Sequence, residues 1–160
     1  MPPFTALLHT KNDALRLGRA LEMLLPCAEI LIVDHHSIDS THRIAREYGA
    51  RIVAADDPSA AQSYLDLASH DWIFCMEPGE SITEGLQASL FEWSALPAYS
   101  VITHALSMFV RKQSGERWLD LPTPETRLIP RPWRRWRGLL PAYDPSALTL
   151  RGELLCFALP

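Results

Sequence analysis

At 160 residues, with 48% hydrophobic and 21% charged side chains, the chain has the size and composition of one compact globular domain. A formal charge of −4 argues against a general nucleic-acid binder, and no apolar run approaches the ~20 residues that cross a bilayer. The start MPPFTALLHTKND lacks the basic, long-apolar pattern of a signal peptide, and the three cysteines are odd in number and far apart, without a CxxC pair. Cys27, Cys75 and Cys156 are therefore expected as free thiols in a reducing cytoplasm, Cys75 and Cys156 buried, with no structural zinc site.

Residues 4–9 read as a short first strand. Asn12 or Asp13 is placed to cap a helix running to about Leu25. Leu17, Ala20, Leu21, Leu24 and Leu25 fall at i, i+3, i+4, i+7 and i+8 on one apolar face, and Pro26 ends it. The run ILIV at 30–33 does not alternate, as in a strand buried on both faces of a parallel sheet. It ends in Asp34, and a polar turn with Asp39 leads into a second helix. That helix presents Ile44, Ala45 and Tyr48 on one side and closes at Gly49, an αL cap. Residues 51–54 form a third strand, 58–69 a helix with Ala61, Leu65 and Ala68 inward, and 71–76 a fourth strand. Pro78-Gly79 makes a turn, and Thr83 caps a helix to about Ala95 that buries Leu86, Leu90 and Trp93. Trp72 joins Trp93 in the core.

After Pro97 the pattern loosens. Residues 99–111 read as a longer strand, Gly115 as a hairpin link and 127–129 as a short strand. Six prolines from Pro122 to Pro145 make the last forty residues loop-rich, and 148–159 read as a strand pair or a strand and tail. One domain over 1–160 is expected, with a nucleotide-type half over about 1–95 and an irregular, acceptor-side half over about 96–160.

In parallel sheets, ligands bind beyond the carboxyl ends of the strands. Asp34 and Asp39 stand there, able to accept hydrogen bonds from a nucleobase or ribose, to help hold a cation, or only to cap the turn and helix. Asp56, after strand three, could add to such a pocket or sit in a solvated turn with Asp57. His35, His36 and His42 could meet a metal or phosphate or stay exposed, and His9 could wall the site. The segment RPWRRWRG at 131–138 combines four arginines with Trp133 and Trp136. It could clamp a diphosphate through Arg131 and Arg134, stack on a sugar, dock on an anionic membrane, stack on nucleic acid, or lay arginines over an aromatic pair. There is no G-x-x-x-x-G-K-[ST], no G-x-G-x-x-G and no G-x-S-x-G, which excludes the common P-loop, dinucleotide and hydrolase arrangements.

Four segments in order carry a resemblance. Thr10-Lys11-Asn12-Asp13 is similar to a T-K-N-E motif. Val33-Asp34 with Ser37, Asp39 and Thr41 is similar to V-D-S-G-S-T-D-x-T. Residues 44–50, IAREYGA, are similar to the helix and turn that follow it. Asp71-Trp72-Ile73 with Glu77 to Glu80 is similar to D-W-V-L-x-L-D-A-D-E. Together they resemble family-2 glycosyltransferases, in particular the bacterial lipopolysaccharide-core branch. The match covers about residues 4–95 and includes Glu125 to Ile129 more weakly, near a late R-L-F segment.

The resemblance implies an α/β, Rossmann-like nucleotide-diphospho-sugar transferase (glycosyltransferase A-type) fold with a mostly parallel central sheet flanked by helices. It implies an enzyme that moves a sugar from a nucleotide-sugar donor to a glycan or lipid-linked cell-envelope acceptor. No nucleic-acid partner is expected. The location would be cytoplasmic, with peripheral contact at the inner membrane surface as an option. Thr10, Lys11, Asp13, Asp34, Asp39 and Asp56 would bind the nucleotide, and Arg127, Arg131 and Arg134 its phosphates. Glu77 and Glu80 would hold a divalent cation, Mg²⁺ or Mn²⁺, that offsets the charge of the leaving diphosphate. Glu125 and Asp144 are the candidates for general base.

The chain departs from the family in three places. Glu77-Pro78-Gly79 stands where the family has D-A-D, His35 and His36 replace glycine-like positions, and GLLPAYDP stands where a late H-E segment would fall. These departures suggest an alternative: a degenerate relative that binds a nucleotide or a protein partner without turnover.

Overall fold

The computed structural model describes residues 3–56, 61–97 and 104–159. At its centre lies strand β1 (Phe4–Thr10), flanked in parallel by β2 (Glu29–Asp34) and β4 (Trp72–Met76). Strand β3 (Arg51–Ala54) runs parallel to β2 beyond it. Successive side chains point to opposite faces of a strand, so each strand feeds two core layers. Phe4, Ala6, Leu8, Ile32 and Phe74 enter one layer, and Leu7, Leu31, Val33, Ile73 and Cys75 the other. Helices α1 (Ala14–Leu21) and α4 (Glu84–Ser94) cover the first with Leu17, Leu21, Leu86, Leu90 and Trp93. Helix α3 (Ala61–Leu65) covers the second with Tyr64 and Leu65, joined by Trp133. Burial on both faces is the physical reason for the unbroken apolar runs.

Past β4 the sheet continues through β8 (Thr123–Pro130), β6 (Leu106–Ser114), β11 (Leu148–Cys156) and β5 (Glu80–Ile82). The order is β3-β2-β1-β4-β8-β6-β11-β5, with β7 (Arg117–Trp118) paired to β6. Strand β8 is antiparallel to β4 and β6, while β11 is parallel to β6. The expected α/β sheet is therefore present, as a parallel arm continued by a mixed one. A hairpin of β9 (Trp136–Arg137) and β10 (Leu140–Pro141) turns at Gly138, whose φ of 63° suits the first position of a two-residue loop.

Several local expectations need correction. Helix α1 ends at Leu21, and turns closed by Leu24 N–H to Leu21 O and Cys27 N–H to Leu24 O follow. Leu24 stays buried while Leu25 swings out to 74% exposure. Helix α2 (Thr41–Glu47) ends in a Schellman motif: Ala50 N–H reaches Ala45 O and Gly49 N–H reaches Arg46 O, with Gly49 at φ 74°. Tyr48 is half exposed over Gly18 of α1 instead of inward. The expected helix start at Pro58 and strand start at Tyr99 lie outside the described residues, and strand β6 begins at Leu106. Strand β5 was not anticipated; a turn from Glu80 N–H to Glu77 O introduces it. Residues 148–159 form one strand and a tail. Cys75 is buried, whereas Cys27 and Cys156 are only partly so, and all three are free thiols.

Strand β11 crosses the start of α4 with no space to spare. Gly152 has φ 96°, and a Cβ there would lie 2.1 Å from Leu86 N. Thr83 knits the crossing: its Oγ1 accepts from Leu86 N–H at 3.3 Å and donates to Glu153 O at 2.7 Å.

Candidate functional site

The carboxyl ends of the four parallel strands open into one cleft of ≈ 750 Å³, within the range of small-molecule sites. Residues from the end of β1 (Thr10, Lys11), after β2 (His35, His36), after β3 (Ala55, Asp56) and after β4 (Glu77, Pro78) line it. Helix α1 adds Arg16, and the β9–β10 hairpin forms the opposite lip with Arg137, Leu139 and Leu140. This is the crevice at the switch point of the sheet, where β1 is followed by β2 on one side and β4 on the other.

The loops after β1 and β2 are locked together. Asn12 and His36 both adopt left-handed backbone, φ 53° and 59°. Asn12 N–H donates to Ser37 Oγ at 2.8 Å, and its side-chain oxygen accepts from Ile38 N–H at 2.8 Å. Asp13 N–H donates to Thr41 Oγ1 at 2.9 Å. Neither Asn12 nor Asp13 caps α1 with its side chain; Asp39 does so from the neighbouring loop, accepting from Ala14 N–H at 3.1 Å. Its other oxygen takes the Thr41 N–H at 2.9 Å and the Thr41 hydroxyl. Asp39 is thus a bracket between α1 and α2, and it does not line the cleft.

Asp34 is also used internally. It is buried, and its two oxygens accept from the Thr10 hydroxyl (2.8 Å), the Ser37 hydroxyl (2.6 Å), the Ser37 N–H (2.9 Å) and His42 Nε2 (2.8 Å). Burial alone would raise its carboxyl, but the bonds from Ser37, His42 and Thr10 outweigh that and hold it at about 2. A carboxylate with four internal donors is a fastener for the turn; it lines not this cleft but a neighbouring hollow of ≈ 500 Å³, with His36, Ser37 and His42.

Of the residues expected at a nucleotide, the structure brings Thr10, Lys11, Asp13 and Asp56 to the cleft, and not Asp34 or Asp39. His9 and His35, weighed from the sequence as a wall and a possible contact of the site, also line it, and the structure adds Arg16, which sequence reasoning missed, and Arg137, which it left among four arginines. His9 Nδ1 lies 2.9 Å from His35 Nε2, one ring donating to the other, and the edge of Tyr64 meets His9 with ring centroids 5.2 Å apart. Burial, with His35 beside it, lowers His9 to about 4, so His9 is neutral near pH 7. Arg16 Nε donates to Asp13 Oδ1 at 2.9 Å, and Lys11 N–H to Asp13 Oδ2 at 2.8 Å. The spacing of Asp13 and Arg16, three apart at a helix start, was the one available signal for that pair.

In the turn after β4, one of the two expected cation ligands is taken up inside the fold. Glu80 is 1% exposed; its oxygens accept from Arg127 Nη1 at 2.6 Å and Nη2 at 2.8 Å, and Oε1 also takes the Glu77 N–H at 2.8 Å. Arg127, also 1% exposed, bonds Glu125 Oε1 at 3.0 Å as well. Glu80 is therefore not available as a metal ligand, nor Arg127 as a phosphate clamp; they form an internal ion pair. Glu77 alone keeps an exposed carboxylate, which partial enclosure and then the Glu80 charge push upward. Gly79 has no ligand atom, and a Cβ built there would meet Arg16 Nη1 at 2.8 Å. Among the described residues no group of three His, Cys, Asp or Glu could hold a metal ion. Hard divalent cations take six or more oxygens. Here the turn offers one free carboxylate, Glu77, with the Arg16 guanidinium beside it, so waters and substrate phosphates would have to supply the rest.

The arginine cluster divides. Arg131 is consumed by carbonyls, reaching Ala68 O at 2.8 Å and also Leu65 O and His70 O. Arg134 is exposed and donates to Trp133 O at 3.1 Å, and Arg135 pairs with Asp144 at 2.9 Å. Neither Arg131 nor Arg134 lines the cleft, whereas Arg137 does. Trp133 is core, and Trp136 Nε1 donates to Gln62 Oε1 at 2.9 Å. A second cavity of ≈ 270 Å³ adjoins the cleft, sharing Glu77, Arg137 and Leu140, and Glu125 lines it. Asp144 does not: it is buried and accepts from the Ser146 N–H and hydroxyl and from Arg135.

No protein-family model matches the chain. It is similar to proteins named uncharacterized glycosyltransferase, 31% identical over 94 residues in Rickettsia felis and 31% over 90 residues in Rickettsia bellii. These matches cover 54% and 52% of this chain but 32% and 30% of the relatives, so the chain spans about a third of their length. Among solved structures it is similar to S. aureus TarS 1-349 in complex with UDP-GlcNAc, with a TM-score of 0.54 at 16% identity over 74% of this chain and 37% of that one. It is also similar to glucosyl-3-phosphoglycerate synthase from Mycobacterium tuberculosis in complex with Mn²⁺, UDP and glucosyl-3-phosphoglycerate, with a TM-score of 0.52 at 16% identity over 69% and 44%. The fold is the glycosyltransferase A-type fold, and the chain is glycosyltransferase-like. Among the described residues no helix is long and apolar enough to cross a membrane.

Proposed function

We propose that the cleft is the donor site of a nucleotide-sugar-dependent glycosyltransferase, carried on one domain over residues 1–160. The observation that carries this reading is the cleft itself, open at the carboxyl ends of all four parallel strands and holding Lys11, Arg16 and Arg137. The nucleoside lies along the wall of His9 and His35, opposite Asp56, with Thr10 and Lys11 at the end of β1. The diphosphate points toward Arg16 and Arg137. The adjoining cavity at Glu125 receives a glycan or lipid-linked envelope acceptor, and Glu125 is the base candidate that faces it. The complexes of the two similar structures with UDP or UDP-GlcNAc support a nucleotide-sugar donor. A cytoplasmic location with contact at the inner membrane surface is part of the proposal for a lipid-linked acceptor.

A second reading, nucleotide binding without turnover, is favoured by one observation: Glu77 is the single free carboxylate in the turn after β4. The test is a thermal-shift panel of UDP, GDP, CDP and dTDP sugars, followed by a donor-hydrolysis assay with the best ligand. A selective rise in melting temperature supports the donor site by mass action, and hydrolysis then separates enzyme from binder. A flat panel overturns both readings.

A further inference from the structure

We infer that this cleft binds the diphosphate of its nucleotide without a divalent cation, with the Arg16 guanidinium standing in the cation's place. The inference rests on the donor-site reading above. A cation at the turn after β4 would draw on carboxylates there, and the chain leaves it one, Glu77. Glu80 is tied to Arg127 at 2.6 and 2.8 Å, and Asp13 gives its oxygens to Lys11 N–H and Arg16 Nε. Position 79 has no side chain, and the space in front of it belongs to Arg16: Nη1 would lie 2.8 Å and Cζ 3.6 Å from a Cβ built on Gly79.

Arg16 is arranged as a ligand group. Asp13 grips it by Nε alone, which fixes the plane of the guanidinium and leaves the Nη end pointing at Glu77, Pro78 and the cleft. Among the described residues that end has no hydrogen-bond partner, and the side chain is 27% exposed. A planar guanidinium presents two parallel N–H donors that match two phosphate oxygens, and its charge is permanent. Lys11 and Arg137 line the same space, so the diphosphate meets three cations. Each half of the substitution explains the other. A glycine at 79 makes room for Arg16, and Arg16 makes a second carboxylate unnecessary.

The test is calorimetric titration of the whole chain with UDP, then GDP, CDP and dTDP, each in EDTA and in MnCl₂. The dissociation constant is expected to agree within about threefold between the two buffers. Arg16→Gln is expected to weaken metal-free binding about tenfold or more, the size of a lost charge-assisted pair of bonds. Gly79→Asp offers an independent route that keeps residue 16 an arginine while its Cβ displaces the Nη1 end. Its carboxylate neutralises the guanidinium, so metal-free binding falls and Mn²⁺ restores it. Circular dichroism of both variants confirms that they fold. Binding that requires Mn²⁺ in the unmodified chain, or metal-free binding unchanged in Arg16→Gln, overturns the inference and leaves the donor site standing. No binding of any diphosphate in either buffer overturns the donor-site reading and this inference with it.

Discussion

Replacing Glu80 by glutamine tests whether that residue belongs to the fold or to a ligand. The substitution preserves shape and removes the charge opposite Arg127. Arg127 is 1% exposed, and without Glu80 it keeps Glu125 at 3.0 Å and the Cys75 carbonyl at 3.3 Å. Its Nε has no partner in any case, so no spare bond absorbs the loss. Breaking a buried pair of this kind costs about 3–5 kcal/mol, and the surviving Glu125 contact places the expectation near the lower end, about 3 kcal/mol. Against a total of roughly 5–15 kcal/mol for a domain, that is a large fraction. With a urea slope of about 2 kcal/mol per molar, the unfolding midpoint should fall by about 1.5 M. The double variant Glu80→Leu/Arg127→Met should lie nearer the parent than either single change, because it leaves no uncompensated charge. An unchanged midpoint in Glu80→Gln, with nucleotide binding lost, would refute the assignment and return Glu80 to the site.

Two further predictions concern stability. Gly152→Ala places a Cβ against Leu86 N at a φ of 96°, where the neighbour is backbone and cannot swing aside. It should lower stability by about 2–4 kcal/mol in denaturant melts; a neutral result would mean that β11 does not press on α4. His9, lowered to about 4 in the fold from 6.5, stays neutral where the unfolded chain takes a proton. Its contribution is complete above about pH 6.5 and is lost as pH falls toward 4. The size is about 2 kcal/mol, discounted from the full shift because His9 is partly exposed. An imidazole NMR titration checks this: His9 titrating near 6.5 contradicts it, and His35→Ala should move it upward by removing the second cause.

The parallel arm was legible because its signal is local. Unbroken runs such as ILIV report burial on both faces, and Thr83 and Gly49 mark a helix start and a helix end from their own chemistry. Helix lengths were less legible, since α1 ends where tertiary packing keeps Leu24 and releases Leu25, not where Pro26 stands. The site was legible as a place and poorly legible as a set of residues. The acids at the strand ends were the right segments, yet the partners that occupy them come from far along the chain. Thr10 joins Asp34, Ala14 joins Asp39, and Arg127 joins Glu80 across 24, 25 and 47 residues. For these three, no periodicity or spacing encodes that the carboxylate is spoken for. Gly79 announced a missing ligand, but only the packing of α1 against the turn shows Arg16 filling its place. Arg137 was one of four arginines in a run; the β9–β10 hairpin, turned at Gly138, selects it for the cleft.

The most direct test of the central claim is a two-dimensional ¹H–¹⁵N map of the chain titrated with the nucleoside diphosphate that scores best in the panel. The account predicts the largest shifts at Lys11, His35, Asp56 and Glu77, and at the Arg16 and Arg137 side chains, with the far end of the sheet around Gly152 unmoved. Shifts centred away from the carboxyl ends of the parallel strands, or none at saturating ligand, would contradict it.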